Sequence, residues 1–176
     1  MSLKEIKKKL EAEKEEMKEF GGEADNIAEC MEGFEKLVAK FVKEKAKVKV
    51  FGSREESVTK AINSLKDENN EYKVEGYFTN LANLEEMEKV TKEIATKYGR
   101  IDVLVNNAGV SSSTPITSYT EEECDKIINL NIKGVFDTSK AVIPYMTGDN
   151  PSIVNVSSMV SFYGQSSGCL YPTSKF

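Results

Sequence analysis

The sequence has no histidine at any of its 176 positions. That absence excludes every mechanism that uses imidazole as a base or a metal ligand, Ser-His-Asp hydrolysis among them. Acid–base chemistry must come from Tyr, Lys, Asp, Glu or Cys. Cysteine is scarce: Cys30, Cys124 and Cys169 lie far apart, with no metal-like spacing, so no metal site is expected. An odd, scattered set argues for reduced thiols and a cytoplasmic address. No apolar run reaches the length of a membrane span, and the N-terminus is too charged for a secretory signal peptide. An excess of positive charge is also lacking. Lys plus Arg number 24 against 29 Asp plus Glu, a net charge of −5, which favours neither nucleic acid nor an anionic membrane as partner. The remainder, 39% apolar and 30% charged, suits a soluble globular chain with room for one domain and a sizeable core.

The chain has two textures. Residues 1–46 are dense in Lys, Glu, Ala, Met and Leu and contain no proline. "SLKEIKKKLEAEKEEMKEF" reads as a charged helix with opposite charges at i, i+4, ended by Gly21 and Gly22. A second helical pattern places Met31, Phe34, Leu37, Val38, Phe41 and Val42 on one face. From residue 47 strands and helices alternate. "KVKVF", "YKVEGYF", "IDVLVNN" and "SIVNVSS" read as strands. "EESVTKAINSLKDEN", "NLEEMEKVTKEIATKYG" and the long "EEECDKIINLNIKGVFDTSKAVIPYM" read as helices. This alternation predicts a parallel sheet covered by helices, with strands near 47–51, 73–78, 102–105 and 152–157.

The chain ends in "YPTSKF", which contains a Tyr-x-x-x-Lys pair, Tyr171 and Lys175. A free tyrosine, with a pKa of about 10, is a poor base at neutral pH. A lysine ammonium one helical turn away lies on the same face and favours the phenolate form. Alone, such a pair is usually an ordinary helix surface pair. Likewise Ser158 alone is a strand-end hydroxyl, Asn131 alone a helix residue bonding a neighbouring carbonyl, and "NNAG" alone a turn signal. Together, "GRIDVLVNNAGVS", "NLNIKGVF", "SIVNVSSMVS" and "YPTSK" occur in one order, with Ser158 thirteen residues before Tyr171.

In these pieces the chain resembles the short-chain dehydrogenase/reductase family, of the 3-oxoacyl-carrier-protein reductase and hydroxysteroid dehydrogenase type, over about residues 33–176. The resemblance implies an α/β fold, an incomplete Rossmann-like doubly wound parallel sheet preceded by extra N-terminal helices. It implies an NAD(P)-dependent oxidoreductase acting on a small ketone or secondary alcohol. By resemblance Tyr171 exchanges the proton, Ser158 hydrogen-bonds the substrate oxygen, Lys175 also holds the nicotinamide ribose, and Asn131 positions a water beside Lys175. Asn107, Ala108 and Gly109 would lie along the dinucleotide, with Asn80, Leu81, Tyr171 and Lys175 also touching it. At the end of the second family strand Gly52 stands where an acidic residue would hold a ribose diol. Ser53 and Arg54 follow and could pair a 2′-phosphate, which favours NADP over NAD. The resemblance also implies a homo-oligomer formed through the long helix near 121–146.

The chain departs from the family pattern upstream. The first strand and its glycine-rich turn should precede the helix ending near residue 46, but the corresponding residues read "NIAECMEG", and only Gly33 remains of the glycines. Those glycines let backbone approach a pyrophosphate at a helix N-terminus, whereas Glu29 and Glu32 would oppose it. The expectation is therefore one truncated Rossmann-like domain, with residues 1–30 a charged helical segment and 33–176 the family-like region. It should bind a dinucleotide no better than about 1 mM. In the family order 3-2-1-4-5 the first strand is central, so the strand near 47 would pair directly with the one near 102 or be covered by the N-terminal helices. Two functions stay open: the oxidoreductase, and a catalytically silent Rossmann-like remnant without cofactor binding.

Overall fold

The computed structural model describes the backbone from residue 27 onward, residue 69 excepted. The expected helix before Gly21 lies outside the described residues. The chain divides into two compact units, the first ending at Phe78 and the second running from Thr79 to Phe176.

In the first unit the apolar residues of α1 (Ile27–Lys43) recur at helical spacing, so Val38, Ala39 and Val42 share a buried face with Phe34 packed beside them. That face meets Val50 of β1 (Val48–Gly52), Leu65 of α2 (Glu55–Glu68) and Val74 of β2 (Val74–Phe78). The strands pair in parallel, from Val48 opposite Val74 to Gly52 opposite Phe78. The rings of Phe51 and Tyr77 stack, with centroids 5.5 Å apart.

In the second unit β3 (Val103–Asn106) and β4 (Ser152–Asn155) are also parallel, with Val103 opposite Ser152 and Asn106 opposite Asn155. Helix α3 (Leu84–Tyr98) starts where the Asn83 side chain accepts from the Glu86 N–H, and it stops at Gly99, whose φ is 86°. It buries Met87, Thr91, Ile94 and Ala95. The long helix begins at the Thr120 cap and runs as α4 (Glu121–Ile128), a single π turn (Asn129–Lys133) and α5 (Gly134–Val142). α5 packs on α3 and buries Gly134, Asp137, Thr138, Ala141 and Val142. Two short helices follow β4: α6 (Val160–Tyr163) and α7 (Leu170–Lys175).

The four strands fall where the alternation places them, and the fold is the α/β, Rossmann-like one. Their pairing leaves one of the two alternatives, coverage of the strand near 47 by a helix, since α1 packs on β1. Neither sheet gains a third strand among the described residues, and β1 does not pair with β3. In the family order 3-2-1-4-5 the pair β2–β1 corresponds to 3-2 and the pair β3–β4 to 4-5. No described helix is long and apolar enough to cross a membrane.

Candidate active site

The site grows from the carboxyl end of β3. Asn106, its last residue, is buried, and its amide donates to Ser139 Oγ on α5 (3.1 Å) and to Asn155 Oδ1 on β4 (2.9 Å). A buried amide needs such partners, and these two tie both strands to α5 just before the Asn107–Gly109 segment.

Asn131 sits on the π turn and is 4% exposed. A π turn shifts the helical register locally and is often found at functional sites. Here it coincides with an amide that joins three segments. Asn131 Nδ2 donates to the Val110 carbonyl (2.9 Å) and to Ser174 Oγ (2.8 Å), while Oδ1 accepts from the Val110 N–H (2.8 Å). Both N–H groups are therefore engaged, and only the second lone pair of Oδ1 is left for a water. Ser174 Oγ passes the connection on by donating to the Tyr171 carbonyl (2.8 Å).

Lys175 completes the group. Its Nζ donates to the Val156 carbonyl beyond β4 (3.1 Å), and burial pushes its pKa below the ordinary lysine value. Ser157 Oγ donates to the Lys175 carbonyl (2.6 Å), which fixes the end of α7 beside the residue preceding Ser158. A Cβ at Gly109 would lie 3.0 Å from Lys175 Nζ and 3.2 Å from Asn131 Oδ1. The bare backbone at 109 thus leaves a small polar space between the lysine and the asparagine. Pro172 falls in the first turn of α7, where its missing N–H costs nothing.

The structure therefore brings Asn131, Lys175, Gly109 and the backbone of Tyr171 together. Ser158 lies between β4 and α6, and its carbonyl accepts from the Ser161 N–H (3.1 Å) and hydroxyl. The Ser158 and Tyr171 side chains are both half-buried. Asn107 and Ala108 are half-buried on the turn leading to Gly109. Asn80 and Leu81 belong to the same unit, but Asn80 closes a local turn, its Oδ1 accepting from the Ala82 N–H (3.0 Å). Ser53 and Arg54 are exposed and belong to the other unit. Gly52 is small for a packing reason, since a Cβ there would approach Val58 Cγ2 to 2.8 Å. The backbone from Ile27 through Gly33, where the family pattern has its glycine-rich turn, is helical. Among the described residues no cluster of three or more Cys, Asp or Glu could hold a metal.

Ser174, Asn106, Ser139 and Asn155 were not singled out in the sequence. Ser174, Asn106 and Asn155 lie inside "YPTSK", "NNAG" and "SIVNVSSMVS", so position in the motif was the available signal. Ser139 carried none, because its partner is distant in sequence.

With this geometry, the chain belongs to the short chain dehydrogenase family, whose model matches residues 27–176. Among individual proteins it is similar to a 3alpha-hydroxysteroid dehydrogenase of Mediterraneibacter gnavus, 40% identical over 80% of this chain and 56% of the relative. It is also similar to a 3-oxoacyl-(acyl-carrier-protein) reductase of Thermotoga maritima, 44% identical over 58% of this chain and 42% of the relative. A solved structure from Novosphingobium aromaticivorans, described as a short-chain dehydrogenase, superimposes with a TM-score of 0.74 at 27% identity, covering 80% of this chain and 54% of that one. The chain thus spans about half the length of these relatives.

Proposed function

We propose that this chain is an NAD(P)-dependent oxidoreductase that interconverts a small ketone and a secondary alcohol. The observation that carries the reading is the junction of Asn131, Gly109 and Lys175, with Ser174 linking Asn131 to the Tyr171 helix. The space beside Gly109 fits the nicotinamide–ribose end of a dinucleotide, because a bare backbone and a half-buried ammonium are what a ribose hydroxyl needs nearby. The bound nicotinamide supplies or accepts the hydride. Tyr171 gives a proton to the substrate oxygen in reduction and takes it in oxidation. Ser158 donates a hydrogen bond to that oxygen. Lys175 holds the ribose and favours the phenolate of Tyr171, and the free lone pair of Asn131 Oδ1 is open to a water beside Lys175. Arg54 and Ser53 make NADP the favoured form, and the odd, scattered cysteines favour a cytoplasmic address.

One observation favours the silent reading: the helical backbone through Ala28–Gly33 offers no glycine turn to a pyrophosphate. Affinity should therefore be weak, about 1 mM or poorer. The test is an NMR titration of the 176-residue chain with NADPH and with NADH at millimolar concentration, beside a ketone-reduction assay. Saturable shifts at Gly109 and Val110, lost in Lys175→Met, support the reading. No shift there, or shifts unchanged in Lys175→Met, overturn it in favour of the silent one.

The partner implied by the resemblance is a second copy of this chain. Ile128, Ile132 and Phe136 along the long helix, and Ile143 just past its end, recur at helical spacing and remain 42–66% exposed.

A further inference from the structure

We propose that Glu123 is a positioning residue: it clasps two loops into one wall that seats Tyr171. The inference rests on the reading of Tyr171 as the proton-transfer residue. Glu123 stands in the first turn of α4, and its Oε1 accepts from the hydroxyls of Ser112 and Thr114 (2.7 Å for Thr114). The Ser112 hydroxyl also accepts from the Thr114 N–H (3.1 Å), so the segment leaving Gly109 is folded onto α4.

The same segment holds the loop that leads into α7. Gln165 Nε2 donates to the Ser112 carbonyl (3.1 Å) and to the Gly168 carbonyl (2.6 Å). The Gly168 N–H donates to the Thr114 carbonyl (3.1 Å), and the Tyr171 N–H donates to the Gly168 carbonyl (3.3 Å). Gly168 has φ 71°, and a Cβ there would collide with the Ser112 carbonyl. Only glycine suits that conformation and that proximity. A continuous path of hydrogen bonds therefore runs from the Glu123 carboxylate through Thr114 and Gly168 to the backbone of Tyr171. It enters α7 at the opposite end from the Asn131–Ser174 link, so the helix is held from both sides. The Ser112 and Thr114 hydroxyls hold the Glu123 carboxyl below the ordinary carboxylate range, with the Lys126 charge adding to the effect.

The test measures amide hydrogen exchange by NMR in Glu123→Ala, Glu123→Gln and the Ser112→Ala/Thr114→Val double variant, with Glu122→Gln as control. Protection at Gly168 and Tyr171 should fall about tenfold or more in Glu123→Ala and in the double variant, while Val105 and Val154 in the strands keep theirs. Glu123→Gln, which retains an acceptor, should recover part of the loss, and the control should match the parent chain. In the reductase assay, kcat should fall about tenfold or more while the KM for the dinucleotide holds. Unchanged protection at Gly168 and Tyr171 in both Glu123→Ala and the double variant would overturn the clasp, as would an equal loss at Val105. If exchange behaves as expected and no variant, nor the parent, reduces a ketone, the clasp stands and the proposed activity is what fails.

Discussion

Asn131 shows how much one side chain decides. It is nearly buried, and its amide satisfies the Val110 N–H, the Val110 carbonyl and the Ser174 hydroxyl at once. Asn131→Ala would strand those groups, and each unsatisfied buried group costs about 1–3 kcal/mol. Urea unfolding should therefore show a loss of roughly 2–4 kcal/mol, partial solvation reducing the sum; a loss below about 1 kcal/mol would mean that water replaces the amide. Glu86 acts on the same scale. The Asn80 N–H, the Thr79 hydroxyl and the Asn83 amide hold its carboxyl below the ordinary value of 4.5. A carboxylate with a lowered folded-state pKa contributes stability above its ordinary value and loses it as pH falls through the lowered one. In Glu86→Gln the thermal midpoint should lie below that of the parent at neutral pH. The two curves should converge below pH 4.5 as Glu86 protonates; a constant gap down to the lowest pH would contradict this assignment.

At the scale of elements, the long helix has two jobs on two faces. Inward, its π turn presents Asn131 to the Gly109 turn and to α7. Outward, Ile128, Ile132 and Phe136, with Ile143 just past its end, form an apolar stripe. If a second copy covers that stripe, Phe136→Lys places an ammonium against it. Sedimentation velocity should then show the parent chain as a concentration-dependent dimer and Phe136→Lys as a monomer at the same loading. Equal sedimentation of the two would place any association on another surface. Helix α7 is only six residues long, too short to be stable by propensity alone. Its order rests on the Ser157, Asn131–Ser174 and Gly168 hydrogen bonds rather than on its own turns.

For the whole molecule, the two compact units separate the core of one from the polar junction of the other. Leu65 is 2% exposed in the first core, against Val50 and Val74. Leu65→Ala should cost roughly 2–5 kcal/mol there. Hydrogen exchange should report it at Val50 and Val74, while the Val110 amide bonded to Asn131 keeps its protection. Equal loss in both units would show that they unfold as one.

The sequence by itself determined the alternation of strands and helices, because pleat and helix periods are written in local hydrophobic spacing. It also determined the family: "NNAG", Asn131, Ser158 and the Tyr171–Lys175 pair carried the resemblance, and the family's model matches residues 27–176. Tertiary structure alone decided the rest. Nothing local distinguishes a π turn from regular helix at Asn129–Lys133, since one shifted hydrogen bond leaves the apolar spacing nearly intact. The role of Glu123 was equally hidden: in sequence it is one of three consecutive glutamates. Only the fold brings Ser112 and Thr114 to it and leaves Glu121 and Glu122 exposed. That neither pair gains a third strand among the described residues was also beyond sequence. Strand pairing is a long-range choice that depends on which edges meet, and residue periodicity does not record it.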